Sequence, residues 1–247
     1  MMNKLIISIV FLMASASSFC QDDQRGQALQ ELRKTISLYQ QATLMSFDVK
    51  YRYASGKNPL TYMDSLSGSF RLDGSKFWYS LDETEMLFNG EYVVAVYKDD
   101  RIIYLSRPSQ DMVFQRPVAL IDSLLDNPAI SYAINYTGKT KEIIVDFPTG
   151  ERYKQIRYLI DKRSGLINKM TQLVKSSELY DPEIAVQTAQ ESEAAYSIVE
   201  TIFSNYANKR FDAGFFRADR YFIKEGSDYI AASPYRSYKV FLGSSNL

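Results

Sequence analysis

Five short segments of alternating apolar and polar residues follow one another over residues 68–108, and turn residues separate each from the next. Alternation with a period of two is typical of strands that bury one face. Asn89-Gly90 and Asp99-Asp100 are pairs that close tight turns, because they tolerate positive φ or bond to their own backbone. The pattern therefore predicts an antiparallel meander of five strands: 68–72, 76–80, 85–88, 91–97 and 101–106.

An amphipathic helix is predicted in front of this meander, over residues 24–45. Its apolar residues recur at spacings of three and four and so form one stripe; they are Leu29, Leu32, Ile36 and Tyr39. A first strand is predicted directly after the helix at 46–54, and extended chain again over 60–72. A short central helix is predicted over 117–125, because Pro is favoured in the first turn of a helix.

Alternation resumes in the second half of the chain and predicts five more strands: 130–136, 142–147, 153–161, 166–174 and 194–206. A polar stretch at 180–193 and a Tyr-rich tail that follows Phe215 complete the chain. No change of composition marks a linker and no repeat is visible, so we expect one domain over residues 21–247. Helices combined with antiparallel strands place the predicted fold in the α+β class.

The first twenty residues have the pattern of a secretory signal peptide. Lys4 supplies the positive charge, an apolar run covers residues 5–13, and small residues follow it. Cleavage is predicted between Cys20 and Gln21. Lipidation of Cys20 is the alternative, but Phe19 occupies a position where lipoprotein processing requires a small residue. We therefore expect an exported protein of the periplasm.

Composition excludes several kinds of chemistry. The sequence has one Cys, which lies within the predicted signal, and no His, so the mature chain lacks a disulfide and the commonest general base and metal ligand. Lys and Arg together number 29, as do Asp and Glu, which gives no electrostatic basis for binding nucleic acid. No phosphate loop, metal-ligand spacing or nucleophile motif is present. We expect neither an enzyme nor a cofactor.

Four short segments follow one another in the first half of the chain: Gly68-Ser-Phe-Arg-Leu, Lys76-Phe-Trp-Tyr, Met86-Leu-Phe-Asn-Gly-Glu-Tyr-Val and Tyr97-Lys-Asp-Asp-Arg-Ile-Ile-Tyr. In the second half, the segment 153–161 is followed by Gly165-Leu-Ile-Asn-Lys. This order resembles the LolA superfamily, which includes the periplasmic carrier of outer-membrane lipoproteins. The resemblance extends over residues 24–206.

The resemblance implies a fold and a function. The expected fold is a strongly curved antiparallel sheet, a half-barrel, wrapped over the N-terminal helix and the short central helix. Its concave apolar cavity would bind the acyl chains of lipids or lipoproteins and carry them towards the outer membrane. One feature is not carried over: Asp73-Gly74-Ser75 stands where the carriers have a basic residue and Pro, so the Arg latch of their helical lid is absent.

The predicted lining of this cavity comes from one face of the first-half strands: Phe70, Leu72, Trp78, Met86, Phe88, Val94, Val96, Ile102 and Tyr104. Ordinary core residues beneath helices would show the same pattern. The expected partners are lipid or lipoprotein acyl chains, with an envelope or membrane protein as a possible further partner, and the protein is expected to act as a monomer.

A non-catalytic adaptor or structural component of an envelope assembly is the alternative function. The features that favour it are the polar stretch at 180–193 and the tail tyrosines, which could dock on a partner or complete the sheet: Tyr221, Tyr229, Tyr235 and Tyr238. The acidic cluster Asp82, Glu83 and Glu85 could be paired catalytic carboxylates, but we interpret it as the solubilising charge of a turn.

Overall fold

The computed structural model describes residues 24–56, 58–108, 127–179 and 196–244. The predicted signal peptide, the predicted short helix at 117–125 and the polar stretch at 180–193 lie outside these residues. The described residues form two compact units. Unit 1 comprises 24–40, 53–56, 58–62, 127–179 and 196–200, and unit 2 comprises 41–52, 63–108 and 201–244. The single-domain organisation stays a prediction.

One helix and fourteen strands account for most of the described chain. Helix α1 is described over residues 24–41. The strands are β1 (Leu44–Ser55), β2 (Tyr62–Asp73), β3 (Lys76–Leu81), β4 (Thr84–Phe88), β5 (Val93–Tyr97), β6 (Ile102–Ser106), β7 (Ser131–Thr137), β8 (Thr140–Asp146), β9 (Tyr153–Asp161), β10 (Ile167–Lys175), β11 (Tyr196–Ala207), β12 (Phe222–Glu225), β13 (Asp228–Ala231) and β14 (Lys239–Leu242).

The fold class is α+β, as the sequence predicts: antiparallel sheet with one N-terminal helix makes up most of the described chain. The meander is confirmed, because β2 to β6 pair antiparallel in chain order. The half-barrel is not confirmed, since no sheet among the described residues closes on itself. The helix is shorter than predicted, ending at residue 41, because β1 already begins at Leu44.

Unit 1 is a sheet with strand order β10-β9-β8-β7 packed against helix α1. The predicted stripe supplies the contact: Leu32, Ile36 and Tyr39 are buried. The Tyr39 hydroxyl accepts a hydrogen bond of 3.2 Å from the backbone N–H of Ile167 at the start of β10. Lys141 on β8 pairs with Glu31 on the helix. One face of this sheet is therefore fixed by its helix, as in other α+β folds.

Unit 2 contains the meander and the C-terminal chain, with strand order β14-β6-β5-β4-β3-β2-β1. The last strand, β14, returns to pair in parallel with β6. Between β11 and β14 lies a segment of 208–238, here called the C-terminal segment, which includes the β12–β13 hairpin. Gly90 adopts φ 89° in the turn from β4 to β5, a conformation that disfavours side chains. In the next turn the positive φ falls on Arg101 and not on the aspartates.

Candidate functional site

The two faces of the meander in unit 2 differ in chemistry. Residues directly opposite each other on paired strands share a face. One such row crosses the sheet as Phe70, Tyr79, Met86, Ala95, Tyr104 and Phe241. The next row crosses as Leu72, Phe77, Phe88 and Val93. We call this side the aromatic face, defined by Phe70, Leu72, Phe77, Tyr79, Met86, Phe88, Val93, Ala95, Tyr97, Ile102, Tyr104 and Phe241.

The opposite side is the covered face, because the C-terminal segment packs on it. Its buried strand residues are Leu87, Val94, Val96, Ile103 and Leu105. They form one cluster with buried residues of the C-terminal segment: Phe216, Ala218, Tyr221, Phe222 and Tyr229. Trp78 also belongs to this face, and its ring meets that of Phe215 edge-on at 5.4 Å. The covered face is thus the hydrophobic core of unit 2.

The nine residues predicted to line one cavity lie on both faces. Six are on the aromatic face: Phe70, Leu72, Met86, Phe88, Ile102 and Tyr104. Trp78, Val94 and Val96 are on the covered face, so the prediction that all nine share a surface is wrong for these three. Their packing against the C-terminal segment is the reason that they belong to the core. That the remaining six contact lipid stays a prediction.

Turn lengths explain this error. The turn between β2 and β3 has two residues, Gly74 and Ser75, and so does the next, Asp82 and Glu83, whereas the following two turns have four residues each. When a turn has an even number of residues, an even-numbered residue on one strand lies opposite an odd-numbered residue on the next, as Leu72 and Phe77 do. The aromatic face is therefore even-numbered on β2, β4 and β6 and odd-numbered on β3 and β5. The nine predicted residues are all even-numbered, so they do not include Phe77, Tyr79 and Tyr97 of the aromatic face.

Exposure of the aromatic face rises towards the edge of the meander. Phe70, Leu72 and Phe77 are buried. Met86, Phe88 and Ile102 are half-buried. At the edge formed by β5, β6 and β14, Tyr97, Tyr104 and Phe241 expose 40%, 47% and 42% of their surface. Three exposed rings therefore lie next to one another at this edge.

Ring contacts hold this surface in a defined arrangement. The Tyr104 ring stacks on Phe241 with centroids 5.5 Å apart and meets Tyr97 edge-on at 6.1 Å. Further into the sheet, Phe77 stacks on Phe88 at 5.3 Å. These distances lie within the range in which aromatic pairs attract each other. The aromatic face is therefore preformed, which lowers the entropic cost of binding an apolar molecule.

A buried carboxylate joins the covered face to the C-terminal segment. Glu85 is 7% exposed and accepts a hydrogen bond of 2.6 Å from the Trp78 indole N–H. It also accepts one from the Tyr221 hydroxyl. Burial and, to a smaller extent, the hydrogen bond to Glu85 raise the pKa of Tyr221. Tyr235 stacks on Tyr221, and burial raises the pKa of Tyr235 to about 12. Glu85 is thus a structural acceptor, and interpreting it as the charge of a turn was wrong.

The covered face becomes polar towards β1 and β2. Asp48 accepts hydrogen bonds from the Ser69 hydroxyl at 2.6 Å and from the Asn205 amide at 2.8 Å. Arg71 lies 3.3 Å from the same carboxylate. Burial of Asp48 by itself favours the neutral acid, but these hydrogen bonds and the Arg71 charge outweigh it and hold the pKa of Asp48 below its ordinary value. These contacts join side chains of β1, β2 and β11 on the covered face.

The tail tyrosines pack within unit 2. Tyr221 and Tyr229 are buried in the core of unit 2. Tyr235 stacks on Tyr221 with centroids 5.6 Å apart, and Tyr238 meets Tyr235 edge-on at 5.1 Å. Packing on the sheet, one of the two roles that the sequence leaves open, is thus seen for Tyr221 and Tyr229, whereas Tyr235 and Tyr238 stay half-buried. What the segment exposes instead is a pair of isoleucines on its hairpin, Ile223 and Ile230.

No three His, Cys, Asp or Glu side chains among the described residues are placed to hold a metal ion. In the same part of the chain, no helix combines the length and the apolar character that crossing a membrane requires.

Comparison with known proteins gives fold-level similarities only. No family model and no curated protein matches the chain. Among solved structures, it is similar to an uncharacterised conserved protein of Thermus thermophilus, at 7% identity and a TM-score of 0.44, with 86% of this chain and 98% of that chain covered. It is also similar to a LolA superfamily protein of Nitrosomonas europaea, at 12% identity and a TM-score of 0.33, with coverages of 78% and 98%. A third is LprF of Mycobacterium bovis, at 11% identity and a TM-score of 0.38, with coverages of 75% and 95%.

Proposed function

We propose that the protein is a non-catalytic periplasmic carrier that binds lipid or lipoprotein acyl chains on the aromatic face of unit 2. The observation that carries the proposal is the apolar row from Phe70 to Phe241, which is buried at Phe70 and exposes the rings of Tyr104 and Phe241 at one edge of the sheet. Localisation in the periplasm follows from the predicted signal peptide, and the carrier role agrees with the resemblance to the LolA superfamily.

The physical properties of the aromatic face suit an acyl chain. Each methylene group removed from water contributes about 0.8 kcal/mol, so binding energy accumulates along a continuous apolar surface and needs no specific polar contact. Met86 lies in the middle of the row, and its flexible thioether adapts to chains of different shape. The exposed rings at the edge offer a place where a chain can enter and leave.

Native mass spectrometry of the protein purified from a periplasmic extract tests this proposal. We expect an added mass that corresponds to a lipid or an acylated peptide and that mild detergent removes. The double variant Tyr104→Asp, Phe241→Asp places charge on the exposed edge and should lose that mass while remaining folded. Tyr136→Asp is the matched control, because Tyr136 is also an exposed ring, at 55%, but belongs to unit 1.

Two results would count against the carrier. One is a protein that is free of ligand and takes up no added lipopeptide. The other is loss of the ligand from the Tyr136→Asp control to the same extent as from the double variant.

An adaptor function is the second candidate, and one specific observation favours it. Ile223 and Ile230 lie directly opposite each other on the β12–β13 hairpin and expose 47% and 41% of their surface. They border a groove of about 570 Å³ that Arg236 and Tyr238 also line. A photo-crosslinking residue at Ile223 in cells should then capture one envelope protein, whereas the same residue at Ser227, in the turn of the hairpin, should not.

A further inference from the structure

A second cavity of unit 2 lies between the meander and the C-terminal segment. Lys76 at the start of β3 and Tyr92 just before β5 contribute to one wall. Residues of the segment, Phe216 to Asp219 and Phe222 to Lys224, contribute the other. The cavity has a volume of about 550 Å³, which is within the range of small-molecule sites. We call it the basic groove.

Apolar side chains of the protein core reach into this groove. Phe216, Ala218 and Phe222 line it and are almost fully buried. Tyr92 meets the Phe222 ring edge-on with centroids 5.1 Å apart, so both rings are held in place. These residues provide a rigid apolar floor that suits a ring or a short hydrocarbon chain.

The charged residues around the groove leave an excess of positive charge. Two acidic residues line it, and an arginine neutralises each: Arg107 lies 3.1 Å from Glu91, and Arg217 pairs with Asp219. Among the described residues, no carboxylate forms an ion pair with either Lys76 or Lys224. The Lys224 ammonium rests over the Tyr229 ring, 5.0 Å from its centroid. Neither ammonium group is therefore neutralised by a carboxylate of the described chain.

We propose that the basic groove binds a small amphiphile with an anionic head, which contacts Lys76 and Lys224, and an apolar part that packs on Phe216, Ala218 and Phe222. The anion can be a phosphate or a carboxylate, since both accept charge-assisted hydrogen bonds from ammonium groups. This site is separate from the aromatic face, because the C-terminal segment and the covered face build it.

A titration of the full chain with 1-naphthyl phosphate tests the proposal, with binding monitored by the fluorescence of the naphthyl ring. This ring is too short to span the row of the aromatic face, and 1-naphthol offers the same ring without charge. We expect 1-naphthyl phosphate to bind at least tenfold more tightly than 1-naphthol, with an affinity that falls as salt is added. A parallel titration with 1-naphthoate decides between a phosphate and a carboxylate head.

Variants locate the binding. Lys76→Gln and Lys224→Gln should each weaken 1-naphthyl phosphate binding roughly tenfold, the loss of one charge-assisted contact. Lys139→Gln, at an exposed turn of unit 1, is the matched control and should change nothing. Equal binding of 1-naphthol, or unchanged binding in both lysine variants, would overturn the proposal.

The two proposed sites can fail independently. Tyr104→Asp, Phe241→Asp should leave 1-naphthyl phosphate binding intact. If the double variant instead abolished this binding, the probe would sit on the aromatic face; the basic groove would then be refuted and the carrier function would stand.

Discussion

The two faces of the meander in unit 2 share the same strands but are used differently. On the covered face, aliphatic residues such as Leu87 and Leu105 are fully buried under the C-terminal segment. On the aromatic face, Tyr104 and Phe241 keep over two fifths of their surface exposed. The covered face is therefore core wherever the C-terminal segment packs on it, whereas the aromatic face is buried at Phe70 and Leu72 but keeps apolar surface exposed at its β6–β14 edge.

The largest effect that separates the faces is on stability. Leu87→Ala removes a fully buried side chain of the covered face and should lower the free energy of unfolding by about 2–5 kcal/mol. Tyr104→Ala should lower it by no more than about 1 kcal/mol, because the ring is half-exposed. Denaturation in urea measures both. Equal losses would mean that the exposed edge of the aromatic face, at Tyr104, is core as well.

The next effect concerns the buried carboxylate. Glu85→Ala leaves the Trp78 indole N–H and the Tyr221 hydroxyl without their acceptor, which should cost about 1–3 kcal/mol of unfolding free energy. Glu85→Gln keeps an oxygen acceptor and should cost less. Glu83→Ala, in the exposed turn, is the control. If Glu85→Ala were as stable as this control, Glu85 would not join the segment to the sheet.

A smaller effect is expected at two buried tyrosines, of which one hydroxyl has a hydrogen-bond partner and the other has none among the described residues. Tyr221→Phe removes the hydrogen bond to Glu85 and should cost about 1 kcal/mol. The Tyr158 hydroxyl is buried and has no hydrogen-bond partner among the described residues, so Tyr158→Phe should be neutral or stabilising. Thermal unfolding compares the two variants directly, and a larger loss for Tyr158→Phe would contradict the assignment of these contacts.

The smallest effect is a pH dependence at the polar end of the covered face. Asp48 has a folded-state pKa below its ordinary value of 3.8, so the stability that it contributes is present above pH 3.8 and is lost as pH falls through the folded pKa. Asp48→Asn should therefore lose less stability than the wild type between pH 6 and pH 3. Identical acid profiles would show that the network around Asp48 does not favour the ionised form.

The meander itself could be predicted from the sequence, because alternation and turn residues fix strands and hairpins locally. The lining could be predicted only in part. The alternation within β3 and β5 is the same whichever face Trp78 or Val94 occupies. Only the turn lengths could have assigned these residues to one face or the other. The role of Glu85 could not be predicted, because its partner Tyr221 is 136 residues away in sequence.

Fluorescence quenching by a lipopeptide with brominated acyl chains tests the central claim most directly, because the chain has a single Trp, and it lies on the covered face. A second protein, Trp78→Phe with Tyr104→Trp, moves the only indole to the exposed edge of the aromatic face. We predict strong quenching of the Trp at position 104 and little quenching of Trp78. Strong quenching of Trp78 with none at position 104 would contradict acyl binding on the aromatic face.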